Sequence, residues 1–157
     1  MVILMKKVIK LILVLLIMIN IFTFSSETGV ESTSRSDRLI IRISERVLNR
    51  KLTQKEKETY TGKYVVLVRK TAHFTLYFLL GLFFISFLKE FNLDNKKLLL
   101  YTIIFVFIYS CSDEIHQLFI NERSGEILDV IIDTLGGTTS SIIYILLRRK
   151  LWIKRNN

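Results

Sequence analysis

The stretch Leu98-Leu-Leu-Tyr-Thr-Ile-Ile-Phe-Val-Phe-Ile-Tyr-Ser-Cys-Ser-Asp-Glu-Ile-His-Gln117 joins a long apolar run to a polar end. Its length matches the roughly 20 residues that a helix needs to cross a bilayer. A charged group near a bilayer centre costs about 2.5–3.5 kcal/mol by insertion scales, so Asp113 and Glu114 require a partner or a water-filled cavity. The stretch therefore predicts a membrane helix with a polar site at one end.

The composition of the whole chain is typical of a small integral membrane protein. Its 157 residues are 50% hydrophobic, include no proline and carry a formal net charge of +9. The basic residues flank the apolar runs and form no patch with interleaved aromatic residues, which argues against a nucleic-acid partner. The single cysteine, Cys111, excludes an intrachain disulfide, and a buried apolar role is expected for it.

Apolar segments elsewhere in the chain bring the number of predicted membrane spans to four. The first follows Lys6 and Lys7 and lacks a small-residue cleavage site at its exit, so we interpret it as a helix rather than as a signal peptide. The sequence thus predicts an all-α fold, a four-helix integral membrane bundle that forms one domain over residues 1–157. The spans are expected at residues 8–24, 71–88, 98–117 and 127–147.

The first loop, residues 25–70, is too polar to span the membrane. Within it, apolar residues recur at helical spacing with arginines on the other face, which predicts an amphipathic helix with Ser36 as its N-cap. Such a helix suits either the surface of an anionic membrane or packing on the bundle. Thr53 and Glu56 have the capping-box spacing for a second short helix that leads into the second span.

Polar side chains from three spans are expected to converge on one membrane face. Up-and-down threading puts the start of the second span, the end of the third and the start of the fourth on that face. Each of these helices carries a polar pair at i,i+4 spacing: His73 with Tyr77, Asp113 with Gln117, and Asp129 with Asp133. Asp133 lies roughly 9 Å deeper than Ile127 at about 1.5 Å per residue, so it is the group most in need of a partner.

The distribution of basic residues favours an orientation with both termini in the cytoplasm. The first loop contains eleven Lys or Arg residues, and so do the three segments that this orientation puts inside, at residues 6–10, 89–97 and 148–155. The loop is longer and also holds six acidic residues, whereas charges in short loops and near span ends weigh most in membrane insertion. In this orientation the polar face of the bundle lies outside the cell.

Two motif blocks carry a family resemblance. Residues 69–81 read R-K-x-A-H-F-x-x-Y-x-x-x-G, and residues 112–137 contain S-D-E-x-H-Q-x-F, an arginine and D-x-x-x-D-x-x-G. Together they resemble the VanZ-like family of bacterial membrane proteins, and residues 22–36 are a weaker echo of the family's first loop. The chain departs from the family pattern at two places: Asn121-Glu122 replaces a common Pro-Gly, and Ser140-Ser141 stands where a second glycine is frequent.

The resemblance implies a small multi-pass protein of the bacterial cell membrane. The family's named example is linked to resistance against the glycopeptide antibiotic teicoplanin, and the resemblance identifies neither a reaction nor a cofactor. It carries motif positions over to this chain residue by residue. These positions are His73, Asp113, Glu114, His116, Gln117, Arg123 and Asp129.

Two kinds of active chemistry suit this set of side chains. A metal ion can be held by His73, His116 and two carboxylates, although Glu114 and His116 point about 200° apart around a helix. Alternatively, His116 or Glu114 can act as a general base on a membrane-bound substrate while Arg123 holds a phosphate or carboxylate.

The remaining alternative is a structural network that joins three helices. It would pair Arg123 with Asp129, and His73 with Asp113 or Asp133. We expect a protein that binds or modifies a lipid-linked cell-wall precursor or a glycopeptide in contact with membrane lipid; the alternative is a non-enzymatic membrane protein that acts through lipid or protein partners. The catalytic candidates are His73, Asp113, Glu114 and His116, and the ligand-binding candidates are Arg69, Tyr77, Gln117, Arg123, Asp129 and Asp133.

Overall fold

In the computed structural model, which describes the backbone of residues 2–156 and the side chains of residues 4–150, the chain is 86% helical. Four of the helices are long and apolar enough to cross a membrane, which confirms the all-α prediction with four helices of membrane-spanning length. The helices are α1 (Val2–Ser25), α2 (Gly29–Leu48), α3 (Gln54–Leu88), α4 (Asn95–Gln117) and α5 (Ile127–Asn156), with a 3-10 turn at Lys89–Phe91.

The bundle is organised around α3, which packs against α1, α2, α4 and α5. With 35 residues, α3 is about 52 Å long, well beyond the roughly 30 Å of a bilayer's hydrocarbon core. The capping box of Thr53 and Glu56 forms as predicted. The predicted short, separate helix after it does not form, because no proline interrupts the chain and the helix continues to Leu88.

The amphipathic helix α2 begins earlier than predicted. The Thr28 hydroxyl accepts a hydrogen bond from the Glu31 backbone N–H, and the Glu31 carboxylate accepts one from the Thr28 backbone N–H. These bonds lower the pKa of Glu31. Ser36 is therefore not the N-cap; it is buried inside the helix, where its hydroxyl donates to the Ser32 carbonyl. α2 packs along α3, so the alternative of packing on the bundle describes its position.

The lysine inside the first apolar run has a partner at the end of the bundle remote from the polar motifs. Lys10 Nζ lies 2.5 Å from Glu90 Oε1 and donates to the Ser86 carbonyl at 3.0 Å. A paired lysine near a span end is tolerated in a membrane helix. On the same helix, the Met18 carbonyl accepts a hydrogen bond from the Tyr109 hydroxyl at 2.7 Å, which joins α4 to α1.

The closest helix contact joins α3 to α5 through small residues. A Cβ atom on Gly81 would lie 2.6 Å from the Gly137 Cα, and one on Gly136 would lie 2.5 Å from the Phe74 carbonyl oxygen. Ser140, which stands where the family often has a second glycine, is buried at this contact and donates to the Gly137 carbonyl. Its small side chain still allows the two helices to approach closely. The contact fixes how deep the polar residues of α5 lie against those of α3.

Candidate functional site

Four ionisable side chains from three helices meet at one point, which we call the polar centre. Each offers one donor atom, and these atoms all lie within 4.8 Å of one another. The three carboxyl groups are buried and the imidazole is partly buried. The convergence expected from the motif blocks is therefore present. The residues are His73 from α3, Asp113 and Glu114 from α4, and Asp133 from α5.

Asp133 is the deepest member of the polar centre and is fully buried. Its Oδ1 lies 3.4 Å from His73 Nδ1, and its Oδ2 accepts a hydrogen bond from the Ser110 hydroxyl at 2.8 Å. Of the two partners that the sequence offered for His73, the structure selects Asp133. The 3.4 Å contact has the length of an ion pair but lacks the geometry of a hydrogen bond, so Oδ1 has no hydrogen-bond partner among the described residues.

Two hydroxyl groups beside Asp113 also lack hydrogen-bond partners among the described residues. Ser25 Oγ and the Tyr77 hydroxyl are both buried, and both adjoin the Asp113 side chain. A buried polar group without a partner costs about 1–3 kcal/mol, and native proteins retain few of them. With Asp133 Oδ1 as the third such atom, the hydrogen bonding of this cluster is incomplete among the described residues.

A hydrogen-bonded chain links the polar centre to the loop at residues 118–126. Gln117 Nε2 donates to Glu114 Oε1 at 2.9 Å, and Gln117 Oε1 accepts from Arg123 at 3.1 Å. Arg123 also donates to the carbonyls of Phe24 and Glu27, at 2.9 and 3.1 Å. One guanidinium group therefore ties this loop to the end of α1.

The predicted pairing of Arg123 with Asp129 is wrong. Asp129 Oδ1 instead lies 2.5 Å from Lys70 Nζ, which also contacts Glu126 at 3.2 Å. Carbonyl groups in the last turn of a helix have no partner within that helix, and Arg123 donates to one of them in α1, that of Phe24. Lys70 lies one turn before His73 on α3 and faces the start of α5, so it is the nearer cation for Asp129.

Glu114 and His116 face different directions, as their spacing on a helix requires. Glu114 Oε2 accepts a hydrogen bond from the backbone N–H of Glu126, the residue before α5, where the helix dipole favours negative charge. His116 Nε2 lies 3.1 Å from Ser26 Oγ, and its ring stacks on Phe22 with centroids 4.6 Å apart. His116 is therefore outside the polar centre, so the structure does not bring both histidines together as the metal-site alternative required.

A cavity of about 590 Å³ opens beside the polar centre, between the end of α1, α2 and the middle of α3. A second cavity of about 350 Å³ shares three wall residues with the first, Ile43, Leu67 and Val68, and extends to Tyr60. We call the two cavities together the α2–α3 groove. The distance along α3 from His73 to Tyr60 is about 20 Å.

The α2–α3 groove is polar at one end and apolar along the rest of its length. Arg69, His73 and Arg123 line the end beside the polar centre. Among the described residues, no hydrogen bond or ion pair engages the Arg69 side chain. Burial and then the neighbouring charge of Arg69 lower the pKa of Arg123. Asp113, Glu114 and Asp129 act on Arg123 in the opposite direction, so Arg69 is the cation at this end of the groove that has no described partner.

The motif blocks are matched by a family comparison that covers most of the chain. Residues 10–148 match the family described as VanZ/LLP1. The chain belongs to the VanZ/LLP1 family. Both the polar centre and the α2–α3 groove lie within the matched region, so they are features of the VanZ/LLP1 part of the chain. No curated relative and no solved structure matches the sequence.

The sequence prediction missed three residues of this VanZ/LLP1 site. Lys70 and Ser110 each lie three residues before a predicted site residue, so helical spacing from His73 and Asp113 was the available signal. Ser25 belongs to the segment that echoes the family's first loop, and it reaches the polar centre because α1 ends there. Tyr77, Gln117 and Asp133 lie where the prediction required, whereas Asp129 is held apart by Lys70.

Proposed function

We propose that this VanZ/LLP1 protein binds a membrane amphiphile with an anionic, phosphate-bearing head group. The head group contacts Arg69 and Arg123, and the hydrophobic chain lies in the α2–α3 groove. The observation that carries the proposal is an Arg69 side chain without a described partner at the polar end of an otherwise apolar groove. Guanidinium groups bind phosphate through paired, charge-assisted hydrogen bonds, which suits them to this role.

The apolar part of the groove supports a chain-like ligand. Leu39, Ile43 and Leu67 line it and are 45%, 51% and 62% exposed. A bound hydrocarbon chain would cover these side chains, and each square ångström of apolar surface removed from water contributes about 25 cal/mol. The cavity volumes of about 590 and 350 Å³ are of the size that small ligands occupy.

The position of the groove along α3 puts its polar end at the membrane boundary and its apolar length outside the predicted span, so α2 and α3 would shield a bound chain from water. His73 is near the start of the predicted span at residues 71–88, whereas Tyr60 lies on the part of α3 that precedes it. The groove therefore begins at the membrane boundary. We place the protein in the bacterial cell membrane with both termini in the cytoplasm, which puts the head group on the outer side.

Binding of a phosphate amphiphile predicts a clear effect of Arg69→Gln. The variant should bind dioleoyl phosphatidic acid at least about tenfold more weakly than wild type, because it loses charge-assisted hydrogen bonds worth about 1.5–3 kcal/mol. Titration into the detergent-purified protein with native mass spectrometry measures this. Arg42→Gln is the matched control, since Arg42 is exposed on α2 and lines neither part of the groove.

A second variant distinguishes binding of the ligand's hydrocarbon chain from binding of its head group. Val68 lies where the two cavities meet, so Val68→Trp should weaken binding of phosphatidic acid while leaving binding of inorganic phosphate unchanged. Dioleoyl phosphatidylcholine should bind wild type more weakly than phosphatidic acid. Unchanged phosphatidic acid binding in both Arg69→Gln and Val68→Trp would overturn the proposal and favour the alternative in which the polar network is structural.

Within this class of ligand, we propose a lipid-linked cell-envelope precursor, and with it a lower susceptibility to glycopeptide antibiotics. The support is a groove for a phosphate and a long chain together with membership in the VanZ/LLP1 family. Expression of wild type in a susceptible bacterium should raise the inhibitory teicoplanin concentration, and Arg69→Gln should not, at equal membrane abundance. Loss of the effect only in step with lost abundance would contradict the link.

Catalysis by the polar centre stays a prediction. Acid–base chemistry requires a proton acceptor within hydrogen-bond reach of a bound substrate. His73 lines the groove beside Arg69, and Glu114 adjoins it in the polar centre. Ligand binding requires neither of them to exchange a proton, so the binding proposal stands without a reaction.

A further inference from the structure

We infer that the polar centre is a binding site for a divalent transition-metal cation, with His73, Asp113, Glu114 and Asp133 as the protein ligands. This inference concerns the residues below the groove and does not rest on lipid binding. His116, which the sequence suggested as a ligand, has no part in it because it faces Ser26 and Phe22.

The spacing of the donor atoms fits one ion. All four lie within 4.8 Å of one another. Nitrogen and oxygen ligands sit about 2.1 Å from such an ion, so neighbouring donors are about 3.4 Å apart around a tetrahedral ion, and donors on opposite sides of an octahedral ion are about 4.2 Å apart. A shift of at most about 0.7 Å per donor would therefore bring the set to bonding distance, and side-chain rotation supplies shifts of that size.

An orphaned carboxylate oxygen points to a ligand independently of the clustering. Asp133 is fully buried, and its Oδ1 has no hydrogen-bond partner among the described residues although it faces His73 Nδ1 at 3.4 Å. A cation bound by Oδ1 would satisfy this oxygen, which hydrogen bonding in the described structure does not.

The three carboxylates accept hydrogen bonds from polar side chains outside the proposed ligand set, as the ligands in metal sites do. Ser110 donates to the other oxygen of Asp133 at 2.8 Å. Gln117 donates to Glu114 at 2.9 Å and to Asp113 at 3.4 Å. These contacts orient the carboxylates while leaving Asp133 Oδ1 directed at the centre, which is the preorganisation that a metal ion requires.

The charge balance of the polar centre also calls for a cation. Three carboxylates share a small buried volume, and the nearby Lys70 is committed to Asp129 and Glu126. Arg123 bonds to the Gln117 side-chain oxygen and to two carbonyls. A divalent ion offsets the remaining negative charge. A donor set of one imidazole and three carboxylates suits Zn²⁺ or Mn²⁺ better than Ca²⁺, which takes oxygen ligands.

Metal analysis of the purified full chain tests the inference. After chelator treatment and titration with Zn²⁺ or Mn²⁺, wild type should retain about one ion per chain, and His73→Gln and Asp133→Asn should bind at least about tenfold more weakly. His116→Gln is the matched histidine control, and Asp129→Asn is the matched aspartate control because Asp129 is paired with Lys70. Both controls should bind as wild type does.

Two outcomes would overturn the inference. One is a wild-type protein that takes up neither Zn²⁺ nor Mn²⁺ and shows no metal-dependent rise in thermal unfolding temperature. The other is equal metal retention by wild type, His73→Gln and Asp133→Asn. Because either substitution can also impair folding, the spectrum of bound Co²⁺ gives a second readout in wild type alone. Oxygen-rich ligation with a single nitrogen is expected, whereas a spectrum of free aqueous Co²⁺ would contradict the site.

Discussion

Gly81→Leu is expected to abolish accumulation of the folded protein in the membrane. A Cβ atom at this position would lie 2.6 Å from both the Gly137 Cα and Ser140 Oγ and 2.7 Å from the Gly137 carbonyl oxygen. Backbone atoms cannot rotate away, so α3 and α5 must separate. Overpacking of a well-packed contact costs about 1–3 kcal/mol, and we expect the cost of a leucine at a glycine contact to reach or exceed the upper end of this range.

The same chain supplies a matched control for this prediction. Gly62 lies on α3 as well, and a Cβ there meets nothing within 4 Å. Gly62→Leu should leave membrane abundance unchanged and raise the thermal unfolding temperature slightly, because leucine is the better helix former by about 1 kcal/mol. Equal abundance of Gly81→Leu and Gly62→Leu would show that α3 and α5 do not pack as described.

The second large effect is expected for Arg123→Ala. The guanidinium group donates to the Phe24 carbonyl at the end of α1, to the Glu27 carbonyl just beyond it and to Gln117. Its removal leaves the Glu27 carbonyl and the Gln117 side-chain oxygen without a donor among the described residues, whereas the Phe24 carbonyl keeps the Glu27 backbone N–H at 3.4 Å. Hydrogen bonds to charged groups contribute about 1.5–3 kcal/mol each, and partial exposure reduces this, so we expect a total loss of about 2–4 kcal/mol. Thermal unfolding in detergent and protease cleavage within residues 118–126 measure it.

Two further variants define the role of Arg123. Arg123→Lys keeps the charge but loses the planar fork of donors, so it should fall between wild type and Arg123→Ala. Arg42→Ala removes an exposed arginine from α2 and should unfold like wild type. If Arg123→Ala unfolded at the wild-type temperature, the loop would not be held to α1 by this side chain.

The parts of the fold that follow from hydrophobic periodicity and threading could be predicted from the sequence. Asp113 and Glu114 at the end of an apolar run predicted both a span and a buried site, because charge in a membrane requires partners. Up-and-down threading then determined that His73 and Asp133 reach the same face. The start of α2 lies earlier than the amphipathic pattern indicates, because the capping box of Thr28 and Glu31 adds about two turns before Ser36.

The specific pairings of the site could not be predicted, because they depend on the depth and rotation of helices. Asp129 had both Lys70 and Arg123 within reach along the chain, and only the packed bundle shows that Lys70 takes it. The groove is a further example. It exists because α2 turns back along α3 at the polar end of the bundle, so that Ser36 and Leu76 line one cavity, and no periodicity within either helix encodes that path.

An experimental structure of the protein in lipid nanodiscs that contain phosphatidic acid tests the central claim most directly. We expect phosphate density in contact with Arg69 and Arg123, and continuous chain density along the groove past Ile43 and Val68. Phosphate density confined to the basic residues at the opposite end of the bundle, together with a groove closed by α2 packed flush against α3, would contradict it.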